Sequence, residues 1–481
     1  MKRNVSPWLL QLDKERKHVS LDKDLKTDVA IIGAGIAGVA TAFFILKHTD
    51  KRVVILERFK LAHGATGHNA GQVVSYFERG FAGLVEEFGL KMAAEGEGAV
   101  ESAWELLDEM YTEASLDIPF SRFEGRAGLT SYAQILWHLK DNFLRRKAGG
   151  LSIRKIYIAE TADFARDIPY EYHHLYELVP QKQILELLET KMPDFVASIS
   201  VQKGCMNSAL FCQEVVRYFS KKYADRFTLY EHTPVHKVLL RQDHAILDAE
   251  THEILAERIV LCTNGFESIH IFNESGLDID AKYHHLLYGK IGYMSGYLET
   301  MNKPPAAMSY YTVPTATFET PYFYLTRRQY EYEEGKKHNL ISIGGPEKNI
   351  EEGGLYAFED DFPDDAEQEI DAFVREVYDV DPNKKIEYVF TWHGLMGYTK
   401  NGVRLIGLEP KNHVLLYNLG CNGVGILPSI YGGRKVAALL DGASLPPSIF
   451  DIPARDTTSR PTILSTESDV PERYARAPSA V

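Results

Sequence analysis

From Asp28 to Glu57 the apolar positions read strand, glycine turn, helix, strand: DVAII, then GAGIAG, then VATAFFIL, then VVILE. Helical spacing of apolar residues returns over Leu84–Ala114, Tyr132–Lys147, Gln181–Lys191 and Ala209–Tyr223, predicting four helices. The pattern changes to alternation with turn breaks between Phe227 and Cys262, which predicts strands. Lys282–Thr326 is rich in Tyr, Phe and Thr and suits a larger antiparallel sheet. The acidic stretch Glu359–Asp371 is placed to complement a helix dipole, so it predicts a helix ending near Tyr378 rather than a metal site. Val414–Asn418 reads as a strand and Ile426–Leu440 as a closing helix. Residues 1–27 form an irregular leader with Trp8 as an anchor, and 451–481 a tail without periodicity.

A chain of 481 residues is too long for one hydrophobic core, so two domains are expected. The expected class is α/β plus α+β. Residues 28–80, 200–280 and 390–442 make a discontinuous Rossmann-type unit. Residues 84–199 and 281–389 make a second domain with a mixed or antiparallel sheet. The formal charge of −14 argues against nucleic acid as a partner, because phosphate contacts call for a basic face. Arg145, Arg146 and Lys147 end an amphipathic stretch and read as a helix C-terminus. The four cysteines include no CxxC pair, so neither zinc nor a redox dithiol is indicated, and a reducing compartment fits. Asp13 and Lys14 interrupt any signal-peptide core. Val29–Leu46 is apolar enough for a membrane span, but its glycines suit a buried strand and a close-packed helix. A cytoplasmic protein with no transmembrane segment is expected.

Gly33, Gly35 and Gly38 form GxGxxG directly after an apolar strand. Gly33 permits the turn, Gly35 the approach of backbone to a pyrophosphate, and Gly38 the packing of helix on strand. With Ala34, Ile36 and Ala37 they put an anion at a helix N-terminus. Glu57, followed by Arg58, is placed to accept from ribose hydroxyls. No second strand–GxGxxG unit follows, which favours FAD over a two-dinucleotide reductase. The loop HGATGHNAGQ suits backbone wrapped round a flavin, through Ala65, Thr66, His68, Asn69, Ala70, Gly71 and Gln72. The strand RIVLCTNGF returns Thr263, Asn264 and Gly265 to the cofactor, and Val235 is assigned to the same site.

These segments, with GLMGYTKNGVRLIG and LGCNGVG near the end, resemble the D-amino-acid oxidase-like family of FAD-dependent oxidoreductases. SPWLL, GATGHNAGQ and LGCNGVG make the γ-glutamylputrescine oxidase branch the nearest likeness. The resemblance implies FAD, with Asn422, Gly423, Val424 and Gly425 against the pyrimidine ring, where a helix start would stabilise reduced flavin. It implies oxidation of a C–N bond, with hydride passing from a small-molecule amine to flavin N5 and electrons then to O2 or another acceptor. A polyamine derivative or secondary amine is the expected substrate. Met396 stands where many relatives hold a substrate carboxylate with arginine, Val424 where histidine is common, and Arg404 where proline is common. His68 lies close to a position that carries covalent flavin in some relatives. Tyr322, Tyr324, Arg327, Trp392 and Met396 are substrate candidates, and Lys290 and His393 catalytic candidates. Two alternatives stand beside this reading. One is an amino-acid oxidase or dehydrogenase with another carboxylate anchor, such as Arg327. The other is a flavin-binding partner protein without turnover.

Overall fold

The two apolar runs at the start of the chain become neighbouring parallel strands. Leu25–Ile32 lies between Val53–Leu56 and His252–Leu261, with Val29 opposite Val53 and Arg258. Phe227–Tyr230 and Leu415–Leu419 extend this parallel core at its two sides. The unbroken apolar runs follow from burial of both faces. Val29, Ile31, Val53 and Ile55 pack into the cluster that holds helix Ile36–His48. Ala30, Ile32, Val54 and Leu56 pack with Val238, Leu240 and Leu247 of an antiparallel meander. The closing helix Ile426–Leu440 lies on Ile36–His48, and the contact is close because Gly433 has no side chain: a Cβ there would stand 2.7 Å from the Ala40 carbonyl carbon. This computed structural model describes residues 4–265, 269–274, 276–279, 287–313, 322–333, 335–350, 354, 356–378 and 385–453.

The second sheet has ten strands and is mixed. Leu287–Glu299 pairs antiparallel with Lys337–Asn349 on one side and Phe390–Thr399 on the other. Phe323–Glu331 and Ala306–Tyr311 continue it, and Ala306–Tyr311 joins Phe120–Leu129 in parallel. Gln72–Val74, Ala197–Met206 and Phe390–Thr399 all pair in this sheet, although sequence grouped 28–80, 200–280 and 390–442 with the first unit. A short apolar strand does not reveal which sheet it joins, because its partners are far away in sequence.

Local differences have local causes. The stretch 84–114 is two helices, Phe81–Phe88 and Leu90–Glu113, because Gly89 at φ +78° breaks the first and opens the second. The helix at Gln181 ends at Leu187. Phe120–Leu129 and Lys155–Ala159 are strands that lie between the predicted helices. Asp364–Tyr378 is a helix with Asp364, Asp365 and Glu367 in its first turn. The leader is tied down: Pro7–Leu10 is a helical turn, and fully buried Trp8 donates from its indole to the Asn69 carbonyl at 2.6 Å. Val29–Leu46 divides into core strand and core helix, and among the described residues no helix is long and apolar enough to cross a membrane. Residues 282–286, 314–321 and 454–481 of the predicted sheet and tail lie outside the described residues.

Candidate functional site

A cavity of about 460 Å³ lies between the two sheets. From the first sheet, Gly33, Gly35, Ile36, Ala37, Glu57 and Arg58 line it. Val235, Thr263 and Asn264 line it as well. The loop after Glu57 contributes Ala65, Thr66, His68, Asn69, Ala70 and Gln72, and the last turn Gly423, Val424 and Gly425. Five predicted residues shape the walls without lining them. The Ala34 N–H donates to Glu57 Oε2 at 2.8 Å. Gly38 packs on Gly33, Gly71 on Trp8 and Gly265 on Leu287. Asn422 Oδ1 accepts from the Thr399 N–H at 2.8 Å and holds the last turn.

The geometry of the glycine turn tests whether a dinucleotide fits. Gly33 has φ +105°, and a Cβ there would lie 2.7 Å from the Cys262 carbonyl oxygen. Helix Ile36–His48 starts at Gly35 with no side-chain cap, and its Ile36 N–H donates to Thr66 Oγ1 at 2.9 Å. Helix Ile426–Leu440 also starts without a side-chain cap, at Gly425, and Gly423–Ile426 face the same cavity. Two helix N-termini therefore open on one cavity, with their positive dipole ends toward it. Glu57 is held by the N–H groups of Ala34 and Phe59, and burial raises its pKa. Its carboxylate still lines the cavity as an acceptor. These residues fit FAD: phosphates at the glycine turn, a ribose at Glu57, and a second helix start for the flavin.

His68 Nδ1 lies 3.0 Å from the Gly64 carbonyl oxygen, and burial lowers its pKa to about 4, so the imidazole is neutral. Acid precipitation of the holoprotein should leave the yellow colour in the supernatant, as for FAD held by non-covalent contacts alone. A yellow pellet that becomes colourless in His68→Ala would instead assign a covalent bond to His68.

The second sheet supplies the opposite wall. Lys290, Tyr322, Tyr324 and Met396 line it. So do Tyr76, Glu78, Glu347, Tyr356 and Tyr398, which sequence reasoning missed. Strand alternation sorts the side chains on Phe323–Glu331. Tyr322 and Tyr324 share the cavity face. Phe323 turns the other way and stacks on Phe373 at 4.0 Å. Arg327 turns with it, paired to Glu189 at 2.7 Å and donating to the Pro304 carbonyl at 2.7 Å. Arg327 therefore cannot hold an acidic substrate. Trp392 does not line the cavity: it is fully buried, edge-on to Trp8 at 6.3 Å. Neither does His393, whose ring lies between the Tyr356 hydroxyl at 3.1 Å and the Asp360 carbonyl at 2.9 Å. This removes it as a catalytic candidate.

Charge on this wall comes from Glu78, Glu347 and Lys290. Lys290 Nζ is 3.4 Å from Glu347 and 4.8 Å from the Tyr398 ring centre. Glu78 accepts from the Tyr322 hydroxyl at 2.9 Å, and burial pushes its pKa up to about 7. Behind it, Lys203 donates to Ser309 Oγ at 3.1 Å, and burial lowers its pKa to about 8. An acidic residue just after the apolar run QVVSYF was the available sequence signal for Glu78. Arg404 lines the cavity with its guanidinium on Asn418 Oδ1 at 2.6 Å and the Asn418 carbonyl at 2.7 Å. Among the described residues no group of three or more His, Cys, Asp and Glu side chains is placed to hold a metal.

Comparison with known proteins places this architecture. The glycine oxidase of Geobacillus kaustophilus superposes with a TM-score of 0.64 at 16% identity, over 89% of this chain and 99% of that one. The L-amino acid deaminase of Proteus myxofaciens gives 0.62 at 12% identity, over 94% and 99%. The L-proline dehydrogenase of P. horikoshii gives 0.61 at 15%, over 88% and 95%. These likenesses concern the fold. A Bacillus subtilis (strain 168) protein, YhfW, provisionally described as a Rieske 2Fe-2S iron-sulfur protein, is 30% identical over 98 residues. That stretch is 20% of this chain and 19% of the curated relative. Residues 28–439 match the family described as FAD dependent oxidoreductase, and the chain belongs to this DAO family.

Proposed function

We propose that the protein is an FAD-dependent enzyme that oxidises a C–N bond of an amine lacking an α-carboxylate, in the class of polyamine derivatives or secondary amines. The observation that carries this reading is the wall facing the glycine turn. It bears two carboxylates, Glu78 and Glu347, and a methionine at 396, while Arg327 points away into an ion pair. Methionine offers no bidentate donor for a carboxylate. The likeness of SPWLL, GATGHNAGQ and LGCNGVG to γ-glutamylputrescine oxidases supports the same substrate class.

When bound, FAD supplies the two-electron acceptor for hydride from the carbon beside the amine nitrogen. The chain's own residues bind, orient and exclude water. The glycine turn and the N-terminus of helix Ile36–His48 would hold phosphate, and Glu57 would hold ribose. The turn at Gly423–Gly425 brings the positive end of the last helix to the cavity. Tyr322, Tyr324, Tyr398 and Met294 form a water-excluding wall opposite. We assign the FAD-binding unit to 28–80, 200–280 and 390–442, less the strands that pair in the second sheet, and the cap to 84–199 and 281–389. Four free cysteines suit a reducing, cytoplasmic setting. The electron acceptor is O2 or another oxidant.

The test is anaerobic addition of matched pairs, each an amine and the amino acid that carries the same side chain. The flavin absorbance should bleach with the amines and stay with the amino acids. Faster bleaching by the amino acids would overturn the substrate class. A flavin that no compound bleaches would favour a partner protein without turnover.

A further inference from the structure

Glu78 is held differently from the other acidic groups that line the cavity: Glu57 accepts from the backbone N–H groups of Ala34 and Phe59. Glu347 has Lys290 beside it. Among the described residues no lysine or arginine is ion-paired to Glu78, although the charges of Lys203 and Lys290 favour its ionised form; its hydrogen bond comes from the neutral Tyr322 hydroxyl. It stands where the two walls meet, because a Cβ on Gly423 would lie 3.1 Å from Glu78 Cγ and 2.9 Å from the Tyr398 hydroxyl. Its carboxylate is thus at the turn that opens the last helix and, at the same time, in the tyrosine wall. A buried carboxylate with no cation in contact is costly, and a cationic ligand reduces that cost. Tyrosine rings add attraction for an ammonium through their faces.

We propose that Glu78, positioned by Tyr322, binds the ammonium form of the substrate and makes the enzyme select cationic amines over neutral or anionic molecules of the same shape. This rests on the reading of the cavity as an amine site. Lys203, Lys290, Glu347, Tyr322, Tyr324 and Tyr398 face Glu78 from the surrounding strands. Tyr76 and Tyr311 complete its surroundings. Burial is the first cause that raises Glu78, with Glu347 adding to it and Tyr322, Lys203 and Lys290 opposing. The tyrosines are pushed up by burial and stay neutral. Ammonium binding should therefore strengthen as pH rises through about 7, where Glu78 ionises.

tert-Butylammonium is a suitable probe, since no hydrogen sits on the carbon beside its nitrogen and it cannot be oxidised by hydride loss. tert-Butanol is its neutral counterpart and pivalate its anionic one. Their binding to the FAD-loaded protein is read from the perturbation of the flavin spectrum. The wild type should prefer tert-butylammonium over tert-butanol by about tenfold or more, and Glu78→Gln should erase that preference while moving tert-butanol less than about twofold. Tyr322→Phe keeps the carboxylate but removes its hydrogen bond, so the pH midpoint for tert-butylammonium should move up. Equal binding of the three probes to the wild type, or an intact preference in Glu78→Gln, overturns the proposal. The amine panel fails or succeeds independently: a cation preference with no bleaching would sink the oxidation and leave this site standing.

Discussion

Gly38→Val should yield a protein that no longer retains flavin. A Cβ at Gly38 would lie 1.9 Å from the Gly33 carbonyl oxygen and 3.4 Å from Ile31 Cγ2. The near neighbour is backbone, and that backbone is the turn that cradles the phosphate, so no side chain can swing away to make room. Helix Ile36–His48 would have to lift from strand Leu25–Ile32, carrying the Gly35–Ala37 N–H groups off their line into the cavity. Overpacking of this kind costs about 3 kcal/mol, which corresponds to a loss of roughly 100-fold in FAD affinity if it falls on binding. Titration of apoprotein with FAD, followed by fluorescence quenching, measures it. Gly98→Ala is the control, since its Cβ meets only Leu151 Cδ2 at 3.6 Å within helix Leu90–Glu113. That substitution should retain FAD and gain about 0.5 kcal/mol of stability. A Gly38→Val protein that binds FAD like the wild type would detach the glycine turn from the cofactor.

The dinucleotide end was legible because its signals are local. GxGxxG, the strand before it and Glu57 after it occupy thirty consecutive residues, and each glycine has a steric reason visible in its own neighbourhood. The opposite wall was legible only as strands. A strand states its period but not which face meets the ligand, and a shift of one position sends Arg327 and His393 to the far side while Tyr322 and Tyr324 stay. Glu78, Glu347 and Tyr398 come together from three separate segments, two of them joined only through the strand Leu287–Glu299 between them, which no local pattern encodes. The same holds for Trp8, which the leader delivers to Asn69 and to the distant Trp392.

Arg145 shows what a local reading leaves out, and its removal should cost about 3–5 kcal/mol of stability. Sequence places Arg145, Arg146 and Lys147 in the last turn of a helix, and there they are. A cation in that position is ordinarily solvated and stabilises by about 0.5 kcal/mol through the dipole. Arg145 is instead 2% exposed and ion-paired to Glu97, itself 2% exposed, and to Glu101. Its Nε donates to the Ser152 carbonyl at 2.8 Å, and its guanidinium sits 5.7 Å from the Phe81 ring centre. In Arg145→Met the helix end keeps two basic residues, so the dipole contribution is almost unchanged, whereas Glu97 is left buried with Arg154 at 3.9 Å as its remaining ion pair. Burial already raises the Glu97 pKa above its ordinary value, and losing Arg145, which lowers it, raises it further. A carboxyl whose folded pKa exceeds its unfolded one binds its proton first in the native state, so the variant's deficit should shrink as pH falls from about 7 toward about 5. Denaturant unfolding at the two pH values measures both statements. Adding Glu97→Gln to Arg145→Met should return about half of the loss at neutral pH, because the amide needs no counter-ion. A loss near 0.5 kcal/mol, independent of pH, would mean that Arg145 acts as the surface helix cap its sequence position describes.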